Sequence, residues 1–377
     1  MTKAAELAKM GEVLTNSQIG GRRNLVINGA MNIFQRSSSA VTGLGDGNEG
    51  YVVHDRISHT VVAGAGRFTV TPASITDLPG FANALQVTCT TADTSIASSE
   101  LYVLQHKFEG QDLQQLKKGT SDAEKVTVSF YVKGHDSATY TCELFDTDNT
   151  RQISQTFSVT TSWSRVELTF NADTTGALTD DNGESLQLNI FLHAGSDYTG
   201  GTFTSNTWAS NTNANRVSSS SNSIFESTSA SFSITGLQLE VGSQATPFEH
   251  RSFGEELALC QRYFQRLATI STFGPIGIGR AWSTSRMNVS YPLKVTMRDN
   301  PSLSVSDFGH MQVAGISQNL DAIYNDGNSG TTVATDKECT GIKIGFGHAS
   351  AAFTSGTIYQ AEFDDAAQGY IDISSEL

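Results

Sequence analysis

The stretch that decides the fold runs from Ser231 to Leu267 and reads SFSITGLQLEVGSQATPFEHRSFGEELALCQRYFQRL. Its first residues alternate apolar and polar, as a strand with one buried face does, but the apolar phase moves by one residue at Gly236. Because such a shift turns every later side chain to the other face of the sheet, one strand can contain both halves only with a bulge or kink. The sequence therefore predicts a bulge at Gly236, in a central strand that closes a β domain.

The second part of this stretch predicts a helix. Pro247 cannot donate a ladder hydrogen bond, and Ser252 followed by Glu255 has the spacing of a capping box. A helix should therefore begin near Phe253 and continue to Leu267, with an apolar arc wider than one β domain usually covers. We expect a narrower seam within that arc to face symmetry mates in a cyclic oligomer. The seam consists of Leu257, Cys260, Phe264 and Leu267.

Composition and periodicity predict an all-β protein. Charged residues are only 16% of the 377, and Gly (34) far exceeds Pro (6), which suits short strands joined by polar turns. Apolar residues alternate with polar ones in several segments, as in antiparallel sheets with one buried face. The predicted order is a jelly-roll β-sandwich over residues 21–250, a linker helix over 251–267, and a smaller antiparallel β domain over 268–377. The clearest alternations are Val126–Val132, Tyr140–Leu144, Val166–Phe170 and Leu186–Leu192.

Two less regular segments also carry predictions. Asn24–Arg36 has apolar residues on both sides of Gly29, which indicates two strand halves around a bend. Gln318–Gly330 is rich in Asn, Asp and Gly and is predicted to be a loop. Its acidic residues could hold calcium, but the EF-hand spacing is absent, so a solvated loop is favoured and no metal site is predicted.

Charge and cysteine spacing exclude several classes of partner. The net charge is −14, which disfavours nucleic acid because phosphate binding needs basic patches. The four cysteines are far apart, so neither zinc nor a disulfide framework is indicated, and a reducing cytosol fits. No apolar run is long enough for membrane insertion.

A polar loop at 195–228 contains the candidate ligand contacts Tyr198, Phe203 and Trp208. Aromatic faces stack on sugar rings, and the surrounding amides and hydroxyls match sugar hydroxyls, so this loop is a candidate glycan site. The alternative, which base rates favour, is that Trp208 packs on its own sandwich.

Catalytic chemistry is not predicted. The chain contains no nucleophile elbow and no HExxH motif, and GPIGIG at 274–279 lacks the spacing of a nucleotide loop. His54-Asp55-Arg56 is a compact polar cluster, but such a trio is more often a structural salt bridge at a sheet edge. We therefore predict no catalytic residue and no cofactor.

Four stretches resemble bacteriophage tail-fibre and virion appendage proteins. They are GGRRNLVINGAMNIFQRS (20–37), LYVLQHKFEGQDLQQLKKG (101–119) with VTVSFYVKG (126–134), the hinge ITGLQLEVGSQATPFEHRSFGEELALCQRYF (234–264), and YPLKVTMRDNPSL (291–303). The middle stretches also resemble jelly-roll carbohydrate-binding modules. The resemblance implies a non-enzymatic homotrimer in the virion, assembled in the host cytoplasm, that contacts a host polysaccharide or receptor.

The same resemblance implies that residues 1–20 are an arm that attaches to neighbouring head or tail proteins. Leu7 and Leu14 mark a weakly amphipathic helix, and Arg22-Arg23 form a basic spot after the Gly20-Gly21 hinge. Adsorption is expected in the distal half, with loops of residues 306–340 outermost. The alternatives are a purely structural connector or decoration protein and, as a minor possibility, a glycan-cleaving enzyme.

Overall fold

The computed structural model describes residues 3, 22–268, 273–314, 316–333, 336–350, 352–364 and 369–377. The chain forms two compact units, which we name the N-terminal unit (Met1–Phe253) and the C-terminal unit (Gly254–Leu377). Strands dominate both units, which confirms the predicted all-β fold class. Within the part of the chain that is described, no helix has the length and apolarity needed to cross a membrane.

The N-terminal unit contains twelve of the described strands and one short helix. The strands are β1 (Val41–Leu44), β2 (Ser58–Val62), β3 (Arg67–Ser74), β4 (Asn83–Thr91), β5 (Leu101–Glu109), β6 (Val126–Gly134), β7 (Ala138–Asp146), β8 (Arg151–Val159), β9 (Ser164–Phe170), β10 (Glu184–Ala194), β11 (Ala209–Ser210) and β12 (Ser231–Val241). The helix is α1 (Ser196–Thr199), and 3-10 turns lie at Gly110–Asp112, Gln114–Leu116 and Asn213–Asn215.

Two antiparallel six-stranded sheets form the jelly-roll sandwich of this unit. Sheet I has the strand order β1-β3-β4-β12-β6-β9, and sheet II has the order β11-β8-β7-β10-β5-β2. Alternation gives each sheet one apolar face, and the two faces pack together as a single core. The four strands predicted from the clearest alternations are present as β6, β7, β9 and β10.

Strand β12 is central in sheet I and carries the predicted bulge. Gly236 has φ +64°, a left-handed conformation that glycine adopts without steric cost, and the pairing register with β6 shifts between Thr235 and Gln238. Pairing with β4 extends only to Ile234. The second half of β12 therefore needs another partner on that side.

Asn24–Arg36 provides that partner, and the prediction of two strand halves there is wrong. The segment is irregular and mostly buried, and two of its backbone groups bond directly to β12. Leu25 N donates to Leu239 O (2.9 Å), and Leu237 N donates to Gly29 O (2.9 Å). A Cβ at Gly29 would overlap the Leu237 carbonyl, so this close approach requires glycine.

The hinge after β12 closes over the same segment. The Glu249 carboxylate accepts the backbone N–H groups of Arg23 (3.2 Å) and Asn24 (2.7 Å), and Arg251 donates to Val26 O (3.0 Å) and to Asn24 O. Two stretches far apart in sequence, the start of the described chain and the hinge, are thus bonded to each other.

The linker helix begins where predicted but is shorter. Helix α2 spans Phe253–Gln261, and Phe264–Ala268 forms strand β13 instead of two more helical turns. Phe264 pairs with Ser374 and Leu267 pairs with Ile371. The prediction that Leu257, Cys260, Phe264 and Leu267 form one seam along a helix is therefore wrong, because the last two residues lie in a strand. The last strand of the chain offers β13 a full ladder of hydrogen bonds, which outweighs helical periodicity over so short a segment.

The C-terminal unit contains helix α2 and ten of the described strands. The strands are β13 (Phe264–Ala268), β14 (Gly274–Ala281), β15 (Arg286–Met297), β16 (Ser302–Val305), β17 (Met311–Val313), β18 (Ile316–Asn319), β19 (Ala322–Val333), β20 (Asp336–Gly347), β21 (Ile358–Phe363) and β22 (Tyr370–Ser374). A 3-10 turn lies at Phe308–His310.

Two antiparallel sheets build this unit around a second core. Sheet III has the order β13-β22-β16, and sheet IV has the order β18-β17-β21-β14-β15-β20-β19. The loop predicted over Gln318–Gly330 is wrong, because most of it belongs to β19, which pairs along β20. Its Gly and Asn residues are accommodated at the register shift between Asn325 and Asn328.

Candidate functional site

The predicted aromatic loop lies against sheet II. Tyr198 packs on an apolar cluster that includes Phe191 and Val217, whereas Trp208 packs against the sandwich core. The Trp208 indole donates to Asn171 O (2.7 Å), and Phe203 is half-buried. Tyr198 and Trp208 therefore lie in different clusters and do not form one exposed platform.

Buried charges hold this loop in place. Arg216 from the loop donates two hydrogen bonds to the Glu143 carboxylate (2.9 and 2.7 Å) and stacks over Phe145, 4.8 Å from its ring centroid. Asn189 donates to the same carboxylate (2.9 Å), and Glu143 is fully buried. Since a buried charge is tolerated only when it is paired, the network is structural and fixes the loop on the sheet.

Lys118 occupies an oxygen cage next to Trp208. Its ammonium lies 2.5 Å from Asp146 Oδ2, 3.0 Å from Asp173 Oδ2, and 3.0 and 2.9 Å from the carbonyl oxygens of Thr175 and Gly176. Burial alone would raise the pKa of Asp173, but its hydrogen bonds with Arg151 and Lys118 lower it. The same ammonium lies 5.0 Å from the Trp208 ring centroid, so one side of that ring already has a cation partner.

A serine, a histidine and a glutamate also meet in the N-terminal unit. His193 Nδ1 lies 2.7 Å from Ser223 Oγ, and His193 Nε2 lies 3.1 Å from Glu100 Oε2. Ser223 Oγ also accepts the Phe225 N–H (3.0 Å), and His193 is 1% exposed. Burial lowers the pKa of His193 against the opposing effect of Glu100. The group fastens the end of the loop rather than presenting a hydroxyl to a substrate.

The His54-Asp55-Arg56 cluster has the structural role that the sequence favoured. Asp55 is buried and forms an ion pair with Arg36 (2.9 Å), and the fully buried Arg56 donates to Lys107 O (2.7 Å). No group of three or more His, Cys, Asp or Glu side chains that could hold a metal ion is present among the residues described.

An open cleft of about 480 Å³ lies on the outer face of sheet I beside Trp163. Asp77 accepts the Trp163 indole N–H (2.9 Å) and pairs with Lys133 (2.6 Å), and Gln86 and Ser233 form the floor. Hydrogen bonds from Lys133 and then Trp163 lower the pKa of Asp77. Sequence reasoning missed this cleft because Trp163 lies in a turn between two strands, without a pattern around it.

The C-terminal unit presents a different surface, which we name the outward face of sheet IV. Trp282, in the turn between β14 and β15, is 55% exposed, and Tyr324 on β19 is 40% exposed. The Arg286 guanidinium carbon lies 3.4 Å from the Tyr324 ring centroid and 5.7 Å from that of Trp282. Two exposed aromatic rings thus flank one planar cation.

Asp326 and Asn288 fix the position of Arg286. Asp326 Oδ1 accepts a hydrogen bond from Arg286 (2.9 Å), and the Asn288 amide donates to Asp326 Oδ2 (2.6 Å). Glycine at 345 permits this, because a Cβ there would overlap the Asp326 carboxylate. The aromatic rings therefore rest on a preorganised polar base.

A hollow of about 480 Å³ adjoins this group, lined by Ser290, Gly327, Lys343 and neighbouring backbone. The face therefore combines ring surfaces, hydrogen-bonding groups and a recess, as small-ligand sites do. The sequence signal for it was weak: a tryptophan in the polar turn AWSTSR, and an arginine that starts the following strand.

No protein-family profile and no curated protein sequence matches this chain. Among solved structures, it is similar to the enzymatically active domain of tailspike protein 4 of bacteriophage CBA120, with TM-score 0.30 and 10% identity over 58% of this chain and 21% of that one. It is also similar to a family 4 carbohydrate-binding module, with TM-score 0.28 and 12% identity over 57% of this chain and 97% of that one. A family 11 carbohydrate-binding module of Clostridium thermocellum, in complex with a mixed-linked tetrasaccharide, has TM-score 0.23 and 9% identity over 55% of this chain and 90% of that one. The chain thus spans about a fifth of the length of the tailspike structure.

Proposed function

We propose that this protein is a non-enzymatic bacteriophage virion appendage that recognises a host-surface glycan through the outward face of sheet IV. The observation that carries the proposal is the pair of exposed rings, Trp282 and Tyr324, which both lie near the Arg286 guanidinium. Sugar rings stack on exposed aromatic faces through their C–H groups.

The rigid base under the rings supports binding rather than catalysis. Asp326 accepts hydrogen bonds from both Arg286 and Asn288, so the guanidinium beside the rings is held in place before a ligand arrives. Preorganisation reduces the entropy lost on binding. In this proposal the N-terminal unit is the structural body of the appendage, and its large buried apolar core agrees with that role.

Mutation of the rings tests the proposal. Trp282→Ala and Tyr324→Ala should each weaken adsorption of the purified protein to host cells by about tenfold or more, because central aromatic contacts dominate such interfaces. Trp163→Ala, which removes an indole from the N-terminal unit, is the matched control and should leave adsorption unchanged. If only Trp163→Ala reduced adsorption, the binding site would belong to the cleft on sheet I.

The attachment role of residues 1–20 is tested separately. Leu7 and Leu14 lie outside the described residues, Arg22 is exposed, and Arg23 is bonded through its N–H to Glu249. Removal of residues 1–20 should leave a folded protein, because the bonds of Arg23 and Asn24 to Glu249 lie outside the deleted segment, but one that no longer joins particles. Normal incorporation would assign attachment to another part of the chain. The predicted homotrimer is measured in the same preparation by light scattering.

One observation favours the alternative of a structural connector. Ile278 and Ile358, on the neighbouring strands β14 and β21, are 66% and 70% exposed. Bare aliphatic side chains suit a protein partner better than a sugar. Under this alternative, Ile278→Ser with Ile358→Ser would release the protein from particles, and Trp282→Ala would not affect host binding.

A further inference from the structure

One row of side chains crosses five strands on the outward face of sheet IV. Directly paired residues point to the same side of a sheet. Ile358 pairs with Arg280, Arg280 with Asn288, Asn288 with Gly345, and Gly345 with Tyr324. The row therefore runs without interruption from β21 to β19, a distance of roughly 19 Å at about 4.8 Å per strand spacing.

Glycine lets neighbouring side chains lie close to β20 in the middle of this row. A Cβ at Gly345 would overlap the Asp326 carboxylate, and a Cβ at Gly347 would meet the Tyr324 ring. Trp282 stands next to the row, since its backbone N–H donates to Arg286 O (3.1 Å) in the connecting turn. The row is therefore a long, open strip with two exposed rings, which fits an extended chain better than a compact molecule.

The charges of this strip differ in sign from the rest of the protein. The whole chain carries a net charge of −14, yet the strip contains Arg280 and Lys343, both exposed. Lys343 lies two residues from Gly345 and pairs with Ser290, so it shares the same face. Among the residues that the structure describes, neither cation forms an ion pair with a carboxylate.

The carboxylates on this face already have partners. Asp326 accepts from Arg286 and Asn288, and Glu362 accepts from Gln312 (3.1 Å) and Gln360 (3.2 Å). The two free cations are therefore not neutralised within the face. An anionic ligand would gain their attraction without first breaking an ion pair.

We infer that the ligand of this face is an acidic saccharide, a glycan chain whose sugars carry carboxylates. The inference rests on the proposed function and specifies its substrate class. Trp282 and Tyr324 contact sugar rings, while Arg280 and Lys343 contact the carboxylates. The negative net charge of the chain repels anions in general. An anion therefore binds tightly only if it also carries sugar rings that contact Trp282 and Tyr324.

Binding is measured by calorimetry with oligogalacturonate, with the neutral oligogalactoside of equal length, and with single-stranded oligo-dT. We expect oligogalacturonate to bind at least about tenfold more tightly than the neutral chain at low salt, with the difference shrinking as salt is added. Arg280→Gln and Lys343→Gln should each weaken acidic binding about fivefold and leave neutral binding unchanged. Lys125→Gln, an equal charge change at an exposed site in the N-terminal unit, should change neither.

The possible failures are distinguishable. Equal affinity for acidic and neutral chains, both lost in Trp282→Ala, would overturn the acidic class and leave glycan recognition intact. Oligo-dT binding as tight as oligogalacturonate binding, with no effect of Trp282→Ala, would show unspecific attraction of polyanions and overturn the inference. If no saccharide bound and Trp282→Ala adsorbed normally to cells, the proposed function itself would be wrong.

Discussion

The two units of this protein treat polar and apolar groups in opposite ways. The N-terminal unit buries charges, such as Arg56, Lys118 and Glu143, and pairs them inside loops and turns that close over the sandwich. The C-terminal unit buries an apolar core but leaves Trp282 and Ile358 more than half exposed on sheet IV. The N-terminal unit thus pairs these buried charges internally, and the C-terminal unit leaves large apolar side chains exposed.

This difference is expected if the N-terminal unit is structural and the C-terminal unit binds a ligand. A buried ion pair contributes little net stability, but the removal of only one of its partners is costly. Such networks therefore hold loops in one conformation. Exposed rings contribute less to stability than buried ones, and Trp282 and Tyr324 keep much of their surface available to a ligand. Four substitutions or conditions test whether the units differ as described.

The largest effect is expected in the C-terminal unit from Phe264→Asp. Phe264 is 2% exposed in β13, so a carboxylate there should destabilise this unit by about 4 kcal/mol or more. Chemical denaturation should show an early transition for the C-terminal unit alone. Phe273→Asp, at a side chain that is 58% exposed, is the control and should have little effect. A stable Phe264→Asp protein that had merely changed its oligomeric state would restore the helical seam predicted from sequence.

Lys118→Met should selectively weaken the N-terminal unit by about 3 kcal/mol, because it leaves Asp146 buried without its ammonium partner. The neighbouring Lys117 is the matched control. Its side chain is 53% exposed and pairs with the exposed Glu124, so Lys117→Met should have little effect on stability. Equal effects of the two substitutions in denaturant titrations would mean that the cage is not a closed site.

Acid should affect the N-terminal unit through its buried histidines. Burial lowers the pKa of His54 and His59 from 6.5 to about 3. Below pH 6.5 the unfolded chain therefore takes up protons that the folded chain does not, and stability falls by about 1.4 kcal/mol per pH unit for each histidine until about pH 3. At pH 5 this is about 2 kcal/mol per histidine.

His54→Leu tests how much one of these histidines contributes to the loss of stability in acid. Neither ring nitrogen of His54 has a hydrogen-bond partner among the described residues, so an apolar residue can replace it without breaking a bond. Denaturation at pH 7 and pH 5 should show a smaller acid loss in this variant than in the wild-type protein. An unchanged loss would place the acid sensitivity elsewhere.

The smallest effect on stability is expected at the exposed isoleucines. Ile278→Ser with Ile358→Ser removes apolar groups that already face water. The free energy of unfolding should therefore change by no more than about 0.5 kcal/mol, as for ordinary surface substitutions. Self-association, followed by sedimentation, should decrease if this part of sheet IV contacts another protein chain. A large loss of stability would show that these side chains are part of the core.

The sequence predicted those parts of the fold that depend on local periodicity. Strands β6, β7, β9 and β10, the bulge at Gly236 and the helix start at Phe253 each leave a pattern within a few residues. Cys89 and Cys142 also continue an apolar alternation in the sequence, and both are buried free thiols. The composition of many short strands with polar turns was sufficient for the fold class.

Only the tertiary structure decided the rest, because it depends on residues far apart in the chain. Phe264 is in a strand and not a helix because β22, about a hundred residues later, pairs with it. Asn24–Arg36 is irregular because the bulge in β12 frees an edge that this segment fills. The row from Ile358 to Tyr324 exists only through the pairing of five strands, so no local pattern could reveal it. Periodicity determines which side of a strand is apolar, whereas strand pairing determines which side chains meet across the sheet.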